Sequence, residues 1–241
     1  MAQYAGLVLA IALMFFNYRE MFRAVDLRAN LQWGKIRRFF ALNADIFVRS
    51  LGILAIYAGL TSLSAHYGDV AIAVCSIMMK ILLLYSYFVD GFAYAGEALS
   101  GRYIGAGDRN SLVKAVKVIF LWGGVVGVIA TIGYWFAGDW LFRLMSADPV
   151  VLEGSKEFLF WLPVMPLLGC AAFVWDGIYI GATATRAIRN SMLWAVAGFF
   201  FCYFIFREPY GVHSLWIGYM AHLVARAVYL TVAAKKEVFE A

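Results

Sequence analysis

The chain has 241 residues, of which 64% are Ala, Val, Ile, Leu, Met, Phe, Trp, Tyr or Cys, where a soluble domain has roughly 45–50% apolar residues even with Gly counted. Only 15% are charged, well under the roughly 25% typical of soluble domains, so most of this surface meets something other than water. That excludes a soluble enzyme, a disordered chain and, despite the net charge of +5, a nucleic-acid-binding module.

A helix needs about 20 apolar residues to cross a bilayer. The first apolar run, 1–16, is too short, and it lacks the basic n-region and small-residue cleavage site of a secretory signal. It reads as the end of a helix whose beginning is absent. Residues 17–38 are the longest polar segment, with Met21, Phe22, Val25, Leu27, Leu31 and Trp33 interleaved among the charges. That pattern predicts an amphipathic linker on the inner membrane surface.

Six complete spans follow, at about 39–63, 69–95, 118–137, 158–182, 190–206 and 213–234, with 235–241 left as a short tail. The predicted fold class is therefore an all-α membrane protein, a six-helix lobe over 39–234 preceded by the end of another helix. Asp148-Pro149 signals a helix start in the loop after the third span, and Pro163 and Pro166 fall inside the fourth, where they should bend it. Cys75, Cys170 and Cys202 lie singly in apolar runs and read as packed hydrophobes, with no disulfide or metal spacing.

Lys and Arg set the orientation, because cytoplasmic loops carry an excess of both. One side holds fourteen of the 20 basic residues; the other holds Arg143, Lys156 and Arg207, and Arg49, Lys80 and Arg226 lie inside spans. The basic side is cytoplasmic, which puts both ends of the six-span lobe, including the C-terminus, in the cytoplasm.

Ionisable residues at membrane depth are expensive and are functional candidates by default. Counting about 1.5 Å per residue from the nearest span end puts Arg49 roughly 15 Å deep and Lys80 roughly 16 Å, and counting from Arg186 puts Asp176 roughly 15 Å from the inner face. The expectation is that Asp176 faces one or both cations across the bundle interior. Two readings stay open: the charges hold helices together as polar glue, or the acid takes part in a transport cycle. Asp90 and Glu97, with Tyr94 between them, are candidates for an inner vestibule or a solvated helix end. His222 and Arg226 share a helix face four residues apart, which predicts a paired polar contact or, for His222, simple packing. Gly101 and Gly105, Gly123 and Gly127, and Gly177 and Gly181 have the spacing that permits close helix approach.

The strings LNADIFVRSLGIL from Leu42, DGFAYAGEALSGRYIGAGD from Asp90 and WDGIYIGATATRAIRNSM from Trp175 resemble the MATE family of multidrug and toxic compound exporters, most of all its DinF-type bacterial branch. The resemblance implies a transporter of twelve helices in two six-helix lobes, with export driven by inward flow of protons or sodium. This chain would supply the end of the sixth helix, the linker and the C-terminal lobe, acting in the bacterial inner membrane on a small organic, amphiphilic or cationic substrate. Its partner would be an N-terminal lobe, and no cofactor beyond the coupling ion is implied. Asp176 matches the acidic position on the tenth helix that serves the cation site of the NorM-type branch. The acidic partner on the seventh helix is missing, and Arg49 falls there instead. Two alternatives remain: a flippase for a lipid-linked substrate, and a non-transporting remnant or assembly partner.

Overall fold

A computed structural model describes residues 2–17 and 32–240. The chain divides into two compact units, Met1–Ala41 and Leu42–Ala241. The first contains α1 (Ala2–Asn17) and the start of α2 (Trp33–Ser64). Most of the expected linker, 18–31, lies outside the described residues. Its last part, from Trp33, is helix continuous with the first span.

The second unit continues α2 and adds α3 (Asp69–Gly105), α4 (Arg109–Met145), the short α5 (Pro149–Ser155), α6 (Trp161–Gly181), α7 (Thr185–Tyr210) and α8 (His213–Ala234). Helix is the form that satisfies every backbone N–H and C=O of an apolar segment internally, which a bilayer demands. Among the described residues, six helices are long and apolar enough to cross a membrane. One of them, α4, and the short α5 start at an Asp cap: Asp108 accepts from the Ser111 N–H at 3.0 Å, and Asp148 accepts from the Val150 N–H at 2.9 Å ahead of Pro149.

α6 is the hub, packed against α3, α4 and α8, while α7 lies along α8. Leu82, Met78, Leu162, Met165, Ile178 and Trp216 are fully buried at these contacts. Large apolar side chains such as Phe136, Val232 and Trp135 are instead exposed, the distribution expected where lipid covers the outside. Lipid tails are as apolar as the helices, so the interfaces rely on small residues and hydrogen bonds. Tyr134 donates to the Ile81 carbonyl at 2.7 Å, tying α4 to α3, and Tyr85 donates to the Pro166 carbonyl at 2.9 Å, tying α3 to α6.

The expected double break in the fourth span is reduced. α6 starts only at Trp161, so Pro163 falls in the first turn, where its missing N–H costs nothing, and Pro166 alone lies inside the helix.

Candidate functional site

Asp176 sits five residues before the end of α6. Its neighbours fix it on two sides. Toward α8, Trp175 Nε1 donates to Thr231 Oγ1 at 2.9 Å and the Tyr179 hydroxyl donates to the Leu230 carbonyl at 2.6 Å. Toward α3, Gly177 and Gly181 lie directly on the backbone. A Cβ at Gly177 would overlap the Ala93 carbonyl, and one at Gly181 would overlap the Glu97 carbonyl and Ser100 Oγ. Ser100 uses the close approach to donate to the Ile178 carbonyl at 3.0 Å.

The carboxylate held this way is 4% exposed and meets two arginines. Arg49 of α2 donates from Nε at 3.1 Å and from Nη2 at 2.5 Å, and Arg226 of α8 donates from Nη2, all to Oδ2. Three helices are thereby joined at one oxygen. Arg226 is 3% exposed and lies over the Phe173 ring, its carbon 6.0 Å from the centroid. The Arg49 side chain is 21% exposed and forms the open edge of the cluster. Oδ1 of Asp176 and Nε of Arg226 are buried with no hydrogen-bond partner among the described residues. Asp90, half-buried on α3, is close enough to act electrostatically on both Arg49 and Asp176, which places a second acid near the open edge of the cluster. Buried charges persist only when compensated in this way.

Lys80 is not part of this cluster. Ala93, against which Gly177 packs, is thirteen residues from Lys80 on α3, about 20 Å along the axis. The Lys80 side chain is exposed and makes no ion pair with Asp176. Equal depth for the three charges came from counting Arg49 and Lys80 from opposite ends of their predicted spans and Asp176 from Arg186. α3 runs for 37 residues, ten beyond the predicted end at 95, so depths counted from opposite ends do not coincide. Ala93 is 24 residues from the start of α3 and 12 from its end, roughly 36 and 18 Å, which moves the cluster off the middle toward the basic-loop side.

The remaining candidates divide. Arg226 turns to Asp176 and not to His222. The buried His222 donates from Nδ1 to the Tyr219 carbonyl at 3.2 Å and packs on the Tyr219 ring at 5.1 Å. Tyr94 is exposed and Glu97 half-buried on α3. One acid escaped the sequence reading. Asp45, four residues before Arg49, is 7% exposed and accepts from Thr185 Oγ1 at 3.0 Å and Arg189 Nη1 at 2.6 Å. The signal was an Asp and an Arg one turn apart on an otherwise apolar helix face.

Residues 46–206 match the MatE family. The chain is 34% identical over 198 residues to the DNA damage-inducible protein F of Escherichia coli (strain K12), covering 82% of this chain and 43% of that protein. It is 28% identical over 180 residues to a probable multidrug resistance protein NorM of Photorhabdus laumondii, covering 71% and 40%. The outward-facing conformation of a multidrug resistance MATE family transporter of the MOP superfamily shares the fold, with a TM-score of 0.74 at 17% identity over 81% of this chain and 44% of that one. The chain spans less than half the length of these relatives.

Proposed function

This chain belongs to the MatE family, whose members are transporters and not enzymes, and from that premise we propose that it forms one wall of the substrate cleft of a cation-coupled efflux antiporter. In this reading 1–16 is the end of the sixth helix of the whole transporter and 17–38 the linker between lobes. Residues 39–234 are then the C-terminal lobe, and 235–241 is a cytoplasmic tail. The partner is an N-terminal six-helix lobe, the location is the bacterial inner membrane, and the coupling ion is a proton or sodium. The cargo is a small organic molecule, amphiphilic or cationic.

The observation that carries the reading is the junction of α2, α6 and α8 at Asp176, with Arg49 at its open edge. Paired charges with a part-exposed member give this lobe a contact with two arrangements, which an ion or substrate reaching Arg49 can bias as the lobe rocks against its partner. Polar glue alone needs no such exposure. Alternating access follows as the working mechanism: the ion pairs hold one arrangement, and their exchange accompanies the other. Cells lacking their own drug exporters and expressing the whole gene product test this. Energised cells should expel a fluorescent substrate, and collapse of the ion gradient should stop them. Accumulation identical to that of empty-vector cells refutes the reading.

The flippase alternative draws support from one feature, an apolar cavity of about 380 Å³ between α3 and α4 lined by Leu84, Phe88, Ile129 and Tyr134. An acyl or isoprenoid chain suits such a surface. Translocation of a lipid-linked probe in vesicles, without export of soluble dyes, would favour it.

A further inference from the structure

Below the Asp176 cluster, on the same face of α2, Asp45 makes a second polar junction. Both its oxygens are engaged, Oδ2 by Thr185 and Oδ1 by Arg189. Arg189 is itself oriented: Nε and Nη2 donate to Asn190 Oδ1 at 3.2 and 3.0 Å, which leaves Nη1 aimed at Asp45. Thr185 opens α7 directly after the turn that ends α6. In that turn Thr183 has φ +56°, the left-handed region that a β-branched residue rarely adopts and that helix ends usually give to Gly. Backbone bonds from the Ala182 N–H to the Ile178 carbonyl at 2.9 Å and from the Ala184 N–H to the Tyr179 carbonyl at 3.0 Å hold the turn on the α6 side. Asp45 holds it on the α7 side.

We propose that Asp45, Thr185 and Arg189 form a latch at the basic-loop end that fastens α2 to α7 and thereby positions Arg49 on Asp176. Asp45 and Arg49 are one helical turn apart, so α2 cannot leave one junction while keeping the other. Beyond the latch the α2–α7 contact is apolar: Gly52 sits on Met192 and Gly59 on Phe200, surfaces that slide or separate without stranding a charge. The strained turn connects the latch to the helix that carries Asp176. When Asp45 lets go, α2 swings free with Arg49, and the end of α6 loses the contact that pins its turn. The three are positioning residues. Their role rests on the alternating-access reading, because a latch in a rigid protein has no occasion to open.

The test uses the whole gene product with all its cysteines, Cys75, Cys170 and Cys202 among them, replaced by Ala and a reporter thiol introduced by Met192→Cys. Met192 is fully buried against Gly52, so a thiol there meets reagent only when α2 parts from α7. In inside-out vesicles, Asp45→Asn should raise the rate of labelling by a membrane-impermeant maleimide about tenfold. The exchange Asp45→Arg with Arg189→Asp should bring it back to within about twofold of the parent. Unchanged labelling in Asp45→Asn overturns the latch. So does a rise that the exchange fails to reverse, which would mean general loosening. Where Asp45→Asn does not accumulate in the membrane, Thr185→Ala keeps the ion pair, removes one bond and should give a smaller rise of about twofold to threefold; no rise again overturns the proposal. Labelling does not depend on export. A latch response in a protein that exports nothing counts against the transport reading alone, and a flat response in an active exporter counts against the latch alone.

Discussion

Arg49 and Arg226, from the first and last helices of the lobe, donate to the same oxygen of Asp176. They are not equivalent. Arg226 is buried against the Phe173 ring, whereas Arg49 is partly open, so loss of Arg226 strands the carboxylate with its more solvated partner. Arg226→Gln should therefore destabilise by about 3 kcal/mol, the scale for breaking a buried pair, and Arg49→Gln by clearly less. Thermal unfolding of the detergent-solubilised protein checks the order. Equal losses would show that exposure does not distinguish the two.

Gly177 brings α6 onto the backbone of α3. A methyl group there meets the Ala93 carbonyl, which no side-chain rotation relieves. Gly177→Ala should lower stability by about 1–3 kcal/mol. Gly124→Ala is the control, since a Cβ at Gly124 meets nothing within 4 Å, and it should be neutral or stabilise by up to about 1 kcal/mol through helix propensity. The two unfolding midpoints, measured side by side, test the close approach.

Asp108 lies between spans, and its carboxyl is held below the ordinary carboxylate value, first by the hydrogen bond with Ser111. The depressed value means the folded state favours the ionised cap. Its contribution is therefore fully present above the unfolded pKa of about 3.9 and is lost as pH falls through the lower folded value. Amide exchange at Ser111, corrected for intrinsic rates, should show constant protection from pH 8 to 5 and a fall below about pH 4. Asp108→Asn keeps a capping oxygen and should remove that pH dependence. A protection profile that titrates near neutrality would contradict the assignment.

Lys80 is exposed and far along α3 from the carboxylate, so Lys80→Ala should lower stability by no more than about 0.5 kcal/mol. A larger loss in thermal unfolding would mean that Lys80 has an energetic partner.

The six spans were legible in the sequence because a bilayer leaves so few ways to bury an apolar run of that length. Their ends were not. Glu97 to Arg102 on α3, like Arg109 to Lys117 on α4 and Thr185 to Arg189 on α7, carry charges that end a hydropathy window while the helix continues through them, and on α3 that error carried Lys80 to the wrong level. The meeting of Arg49 with Asp176 follows from opposite charges at depth with no other use for them. Arg226 as the second donor depended on how α8 is rotated against α6, which Trp175 and Tyr179 set through α8 contacts that no local pattern records. Asp45 was overlooked because it lies near a predicted span end, where an acid reads as solvated; its partners on α7 are about 140 residues away.

Export by the Asp176→Asn protein, at membrane levels matched to wild type, tests the central claim most directly. With its charge removed, Asp176 no longer balances Arg49 and Arg226, and the account predicts that substrate efflux is lost or that its pH dependence shifts. Efflux equal to wild type at every pH would contradict it and reduce the cluster to a structural tie between helices.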